Sequence, residues 1–292
     1  FFFFFSKNTE IKDENGKTAL FYAANTLDIK LVKKLIEKGT KISQTDNLKN
    51  NILMYAVQQD NGLELTKYLV AEKINLNQKN IYGKTALLIS GENKSIKILD
   101  FLISIGMDIN TVNNEGETLL FLAARWNNEK FAQYLLEKEI KVSTVNNKGY
   151  KASQYAKDDT LETIESYWTD RLISALYDGD FKLFKKAYEL GADYNYKDEE
   201  LNNIYLIAVI QNNAEIVSYL LGKGFRVNFT NYAGNTALHL AIYNGNTNLA
   251  KLLINKGIDI KATNNYGKTS LNLAIEYNNL VVADLLMKKL NK

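Results

Sequence analysis

The 292-residue chain sets 36 Lys and Arg against 33 Asp and Glu, a net charge of +3, with both signs interspersed along its length. That pattern lacks the basic stripe with which nucleic-acid binders neutralise phosphate. A content of 46% hydrophobic and 24% charged residues excludes a disordered chain, which cannot bury enough apolar surface to offset its ordering entropy.

The sequence has no Cys, which removes disulfides, thiolate metal sites and a Cys nucleophile and leaves the redox compartment open. No apolar run reaches 18 residues, so no membrane span is expected. Five phenylalanines, 1–5, open the sequence. FFFFFSKNTEIKD lies in phase with LLEKEIKVSTVN at 135–146, so residues 1–12 read as the tail of an earlier repeat. The alternative is the apolar stub of a signal peptide, but no basic segment precedes it and no small-x-small site follows.

From Asp13 onward one pattern recurs: DENGKTALFYAA at Asp13, NIYGKTALLIS at Asn80, NNEGETLLFLAA at Asn113, NYAGNTALHLAI at Asn231 and NNYGKTSLNLAI at Asn264. DNLKNNILMYAV from Asp46 and DEELNNIYLIAV from Asp198 are weaker copies in which Lys49 and Leu201 replace the glycine, and NNKGYKASQYA at Asn146 keeps Gly149. Along the glycine column the intervals are 33, 34, 33, 33, 52, 33 and 33 residues. Asp or Asn three residues before Gly predicts a β-turn fingertip. Thr18, Thr85, Thr118, Thr236 and Thr269 then stand where a helix needs an oxygen for its unpaired amides.

Leu20, Leu53, Leu87, Leu120, Leu238 and Leu271 pair three residues later with Ala23, Ala56, Ser90, Ala123, Ala241 and Ala274. This puts a large and a small residue on one helix face. A second, antiparallel helix follows, and Gly39, Gly106, Gly191, Gly224 and Gly257 mark its end.

A turn, a helix, a loop, an antiparallel helix and a glycine stop every 33 residues resemble the ankyrin repeat, essentially throughout the chain from Asp13. The resemblance implies an all-α fold: an ankyrin-repeat α-solenoid of about nine helix-turn-helix repeats with short β-turn fingers. The family's Thr-Pro-Leu-His helix start reads TALF, TALL, TLLF, TALH or TSLN here, so its Pro is lost throughout and its His survives at His239 alone. The resemblance gives His239 a structural role in the turn region.

The 52-residue interval breaks the array. KASQYAKDDTLETIESYW reads as a closing repeat whose second helix runs to about Trp168, and LISALYDGDFKLFKKAYELGAD as a cap without a finger. Two stacks are therefore expected: 13–168 with five repeats, and 169–292 with four, the first cap-like.

Catalytic patterns are missing: no GxxxxGK[ST], GxSxG, HExxH or EF-hand spacing, and one His in all. The acid pairs Asp158 and Asp159, and Glu199 and Glu200, read as solvated loop surface rather than Ca²⁺ ligands. The sequence therefore reads as a non-enzyme with no cofactor and no metal. The resemblance points to a monomer that binds a protein partner, as an adaptor or scaffold, through fingertips and inner helices. Alternatives are a docking region for a domain outside this sequence, an exported effector, or a structural spacer.

On that surface the register places Leu48, Ile81, Tyr82, Tyr232 and Tyr266 at the fingertips, and Arg125, Trp126, Tyr177, Ile210, Tyr243 and Tyr277 at the ends of inner helices. The fold needs no apolar residue there, and Tyr, Trp and Arg often dominate interface energetics. Tyr177, Ile210 and Tyr243 share one column in consecutive repeats and are read together as a ladder; the competing reading is rings that pack only over neighbouring loops.

Overall fold

The computed structural model describes residues 9–291, so phenylalanines 1–5 and the reading placed on them lie outside the described residues. The chain divides into two compact units, Phe1–Ile164 and Glu165–Lys292. Among the described residues the secondary structure is helical, with isolated bridges in place of a sheet. The fold is an all-α helical repeat.

In the first unit, four helix pairs follow one another: α1 (Ala19–Asn25) with α2 (Ile29–Glu37), α3 (Ile52–Ala56) with α4 (Leu63–Ala71), α5 (Ala86–Glu92) with α6 (Ile96–Ser104), and α7 (Leu119–Arg125) with α8 (Glu129–Glu137). A 3₁₀ turn at Ala152–Tyr155 takes the place of the next inner helix. It leads into α9 (Asp158–Asp178), within which the division between the units falls. The second unit continues with α10 (Phe181–Leu190), α11 (Ile204–Ile210), α12 (Ala214–Gly222), α13 (Ala237–Tyr243), α14 (Thr247–Asn255), α15 (Ser270–Glu276) and α16 (Leu280–Leu290).

The helix expected to stop near Trp168 does not stop there; α9 continues to Asp178. No Gly or Pro interrupts residues 158–178, and the first residue able to end the helix is Gly179, at φ +74°. Asp158 and Asp159 also sit in the first turn of α9 rather than on a loop, where acidic side chains complement the helix dipole.

The large and small columns meet inside the stacks. Leu20, Leu53, Leu87, Leu120 and Leu238 are buried, as are Ala23, Ala56, Ser90, Ala123, Ala241 and Ala274; Leu271 is half-buried. Phe21, Phe121, Phe184 and Tyr205 are the largest fully buried side chains, and Phe21 and Phe121 meet Tyr55 and Tyr155 of the following repeat. A single pair has no such covering of its own, so stability comes from stacking on the next repeat.

Every expected threonine is an N-cap, but capping is uneven. Thr236 and Thr269 form reciprocal boxes with His239 and Asn272, and Thr85 accepts from the Leu88 amide. Thr18 and Thr118 make no cap bond, and their buried hydroxyls find no partner. The third helical residue explains the boxes: His and Asn can return a bond to the cap backbone, whereas Phe21 and Phe121 cannot.

The fingers are Asx-type turns. In the third finger Asn80 Oδ1 accepts from the amides of Tyr82 and Lys84, both at 3.0 Å, while the Gly83 amide donates to the Asn80 carbonyl at 2.9 Å. Adjacent fingertips are then stapled. Asn47, Asn114, Asn147 and Asn265 each donate a side-chain bond of 2.8–2.9 Å to a carbonyl one repeat earlier, beside a backbone bond from the same residue.

These asparagines explain the glycines. A Cβ on Gly16, Gly83, Gly116 or Gly234 would meet the next repeat's staple Asn at 2.2–2.7 Å, on a backbone at φ +71° to +77°. Where the corner residue is not Gly, the next staple is not Asn. Lys49 and Leu201 hold the same left-handed conformation, at φ +60° and +59°, and the residues facing them are Ile81 and Tyr232.

Candidate partner-binding surface

In the second unit, fingertips and inner helices enclose a groove of about 710 Å³. Its floor is made by His239, Leu240 and Leu273, all buried, and its walls by four tyrosines. Tyr232 and Tyr266 project from successive fingertips and are each 77% exposed, an unusual state for so large an apolar surface. Tyr243 ends α13 and Tyr277 caps α15; their rings meet edge to face at 5.0 Å. Burial raises the Tyr277 hydroxyl above its ordinary pKa, and the neighbouring Tyr243 adds to this. Glu199, Glu200, Lys268 and Glu276 complete the lining, with Lys268 Nζ 2.9 Å from Glu276.

The other two members of the expected ladder stand apart from this groove. Tyr177 is exposed but leans on Tyr196; burial first, then that hydrogen bond, pushes its hydroxyl up to about 12. Ile210 is half-buried at the end of α11. Among the described residues neither lines the groove that Tyr243 lines.

In the first unit Leu48, Ile81 and Tyr82 are exposed on neighbouring fingertips, where the Ile81 amide donates to the Leu48 carbonyl at 2.9 Å. Arg125 and Trp126 are engaged within the chain. The Arg125 guanidinium donates to Glu117, which is buried and raises the guanidinium pKa, and lies 5.0 Å from the Tyr155 ring centre. The Trp126 ring stacks near Phe131 at 6.3 Å under Lys94 Nζ at 5.2 Å, and is still 41% exposed. For these two, contacts within the chain account for much of the side chain.

Among the described residues no group of acids and His could hold a metal ion, and no helix is long and apolar enough to cross a membrane.

The sequence profile for ankyrin repeats (3 copies) matches residues 1–80, 53–146, 172–264 and 206–292. The chain belongs to the ankyrin repeat family. Comparison with curated protein sequences gives no significant match. Ankyrin repeats are generally modules of protein–protein interaction, and the family is typically non-catalytic.

The one ankyrin-type histidine sits in its structural role. His239 Nδ1 accepts from the Thr236 amide at 3.2 Å and lies 2.7 Å from its hydroxyl, while Nε2 lies 3.1 Å from the Lys268 carbonyl of the next repeat. An Nδ1 facing an amide donor cannot also carry a proton, so the ring is neutral with its hydrogen on Nε2. Burial holds its pKa below the usual value, only partly countered by the Lys268 carbonyl.

A His with a depressed folded pKa binds its proton more readily unfolded. Stability is therefore full above about pH 6.5 and declines as pH falls through the folded pKa, at a slope of at most about 1.4 kcal/mol per pH unit. His239→Asn, which can rebuild the box as Asn272 does, is expected to remove that slope. Urea midpoints of both proteins between pH 7.5 and pH 5 check this; parallel curves would assign the acid sensitivity elsewhere.

Reading the sequence missed a set of charged rungs, one of which lies beside the groove tyrosines. Lys84 with Glu92, Glu117 with Arg125, and Lys268 with Glu276 pair across eight residues, from the base of a finger to the end of its inner helix. The signal was present, since opposite charges recur at one column spacing, but it differs from the helical three- and four-residue offsets that are usually sought.

Proposed function

We propose that this ankyrin-repeat chain is a protein-binding adaptor or scaffold that holds its partner chiefly in the second-unit groove. The observation that carries the reading is four exposed tyrosines converging on one groove from positions at which the fold asks for no ring. Tyr232 supports it most directly, because it occupies a column where Asn47, Asn114, Asn147 and Asn265 serve as staples. The chain gives up a side-chain hydrogen bond there and exposes an aromatic ring instead. Tyrosine offers a large contact area with few rotatable bonds, which suits it to anchoring an interface.

A photo-crosslinking amino acid placed at Tyr266 tests the reading, with a second at Lys289 on α16 as control. In extracts of the source cells, one protein is expected to crosslink from position 266 and not from 289. Tyr232→Ser is expected to weaken that product at least tenfold, with the thermal midpoint unchanged. Equal labelling from both positions, or no product at 266, would refute the site.

A further inference from the structure

We infer that the second-unit groove recognises a partner segment that presents an arginine side chain. The inference rests on the interaction reading above and names the chemistry of the partner. The groove combines rings with surplus negative charge: Glu199, Glu200 and Glu276 against Lys268 alone. Lys268 is committed to Glu276 at 2.9 Å, so the two glutamates of the α11 fingertip are the uncompensated pair. Both are exposed at the lip, Glu200 holding only a 3.3 Å bond from Asn202, and the Glu200 carbonyl accepts the Tyr232 amide at 3.0 Å. The backbone bond holds the two fingertips side by side, and Glu199, Glu200 and Tyr232 line the same groove.

The chain as a whole carries +3, so this local excess of acid runs against the average charge and is a property of the groove. His239 on the floor is neutral and adds no opposing charge. A cation over a tyrosine face is attracted by the ring quadrupole, and the attraction grows when the site is partly desolvated. Arginine fits this lining better than lysine: its planar guanidinium stacks on a ring while its fork donates two parallel bonds to a carboxylate. An acidic or purely aliphatic segment would leave Glu199 and Glu200 facing like charge or losing water without return. The first-unit fingertips differ. Leu48, Ile81 and Tyr82 are flanked in sequence by Lys49 and Lys79, with Lys84 committed to Glu92, whereas the fingertip beside Tyr232 carries Glu199 and Glu200.

Fluorescence anisotropy with labelled hexa-arginine, hexa-lysine and hexaglutamate tests this on the full chain. Hexa-arginine is expected to bind saturably, at least threefold tighter than hexa-lysine, and hexaglutamate not at all. The double variant Glu199→Gln with Glu200→Gln should weaken hexa-arginine about tenfold, and Tyr232→Ser with Tyr266→Ser at least fivefold. Should the tyrosine pair lower the thermal midpoint, Tyr243→Ser with Tyr277→Ser reads the same stacking. Hexa-arginine that fails to saturate, binds no tighter than hexa-lysine, or is indifferent to these changes overturns the inference. A partner crosslinked at position 266 through a segment without arginine also overturns it while leaving the interaction reading intact; absence of any crosslink strikes that reading instead.

Discussion

Gly83→Ala is expected to lower the unfolding free energy by about 3 kcal/mol, whereas Gly149→Ala, at a turn of the same shape, should cost about 1 kcal/mol. Both glycines are left-handed, at φ +72° and +80°, so the conformational penalty is common to the two. They differ in what stands opposite. A Cβ on Gly83 would lie 2.2 Å from Asn114 Oδ1 and 2.5 Å from the Asn114 amide nitrogen, while nothing lies within 4 Å of one on Gly149.

Relief at Gly83 must displace Asn114, which donates to the Ile81 carbonyl through its side chain at 2.8 Å and to the Tyr82 carbonyl through its backbone at 3.1 Å. Each such bond contributes about 1 kcal/mol, and the excess over Gly149 reflects both. The reverse change, Leu201→Gly, should gain about 1 kcal/mol by relieving a left-handed leucine. Urea denaturation of the three variants measures all of these. Equal losses at Gly83 and Gly149 would show that the staple contributes nothing.

Asp46→Ala should cost a similar amount, about 3 kcal/mol, because one buried carboxylate holds three donors. Its side chain accepts from the Tyr55 hydroxyl at 2.6 Å, the Asn50 amide at 2.8 Å and Asn50 Nδ2 at 3.0 Å. Tyr55 is itself buried, edge-on to Phe21 at 5.5 Å, so deleting the carboxylate strands its hydroxyl away from water. Burial first, and Asp46 second, hold that hydroxyl far above its ordinary pKa. Tyr55→Phe removes one donor and leaves the acceptor with two others, and about 1 kcal/mol is expected. Thermal and urea unfolding of both variants distinguishes a shared node from an incidental contact; equal losses would show that Asp46 acts through Tyr55 alone.

The repeat was legible because its grammar is local. An Asn or Asp three residues before a Gly, a Thr two residues after it and a Leu–Ala pair beyond each have a chemical reason within a dozen residues. The chain obeys it even where it substitutes, since Lys49 and Leu201 keep the glycine conformation. Less was legible wherever the reason lies one repeat away. The Gly–Asn staple joins residues about 31 apart, and neither partner explains itself without the other.

The end of α9 was misplaced because the missing finger implied a stop that no residue between 158 and 178 supplies. At the candidate surface, register alone put Tyr232, Tyr243, Tyr266 and Tyr277 in exposed positions, and the structure gathers them around one groove. The same register could not separate them from Tyr177, which finds Tyr196, or from Arg125 and Trp126, which find partners inside the first unit. Choosing among equally exposed columns depends on neighbours that a linear reading does not bring together.

The corner-and-staple pairing bears on how such a gene can be lengthened or shortened. Duplicating a segment of constant length keeps every hydrophobic column in place, yet each new junction must also match its corner to what arrives: a glycine where an asparagine comes in, another residue where the corner carries a side chain. A recombinant that set a Leu201-type corner before an Asn114-type arrival would keep its reading frame and its helices and still collide at the seam. Neighbouring repeats in this chain are therefore not freely interchangeable bricks; each junction is inherited as a couple.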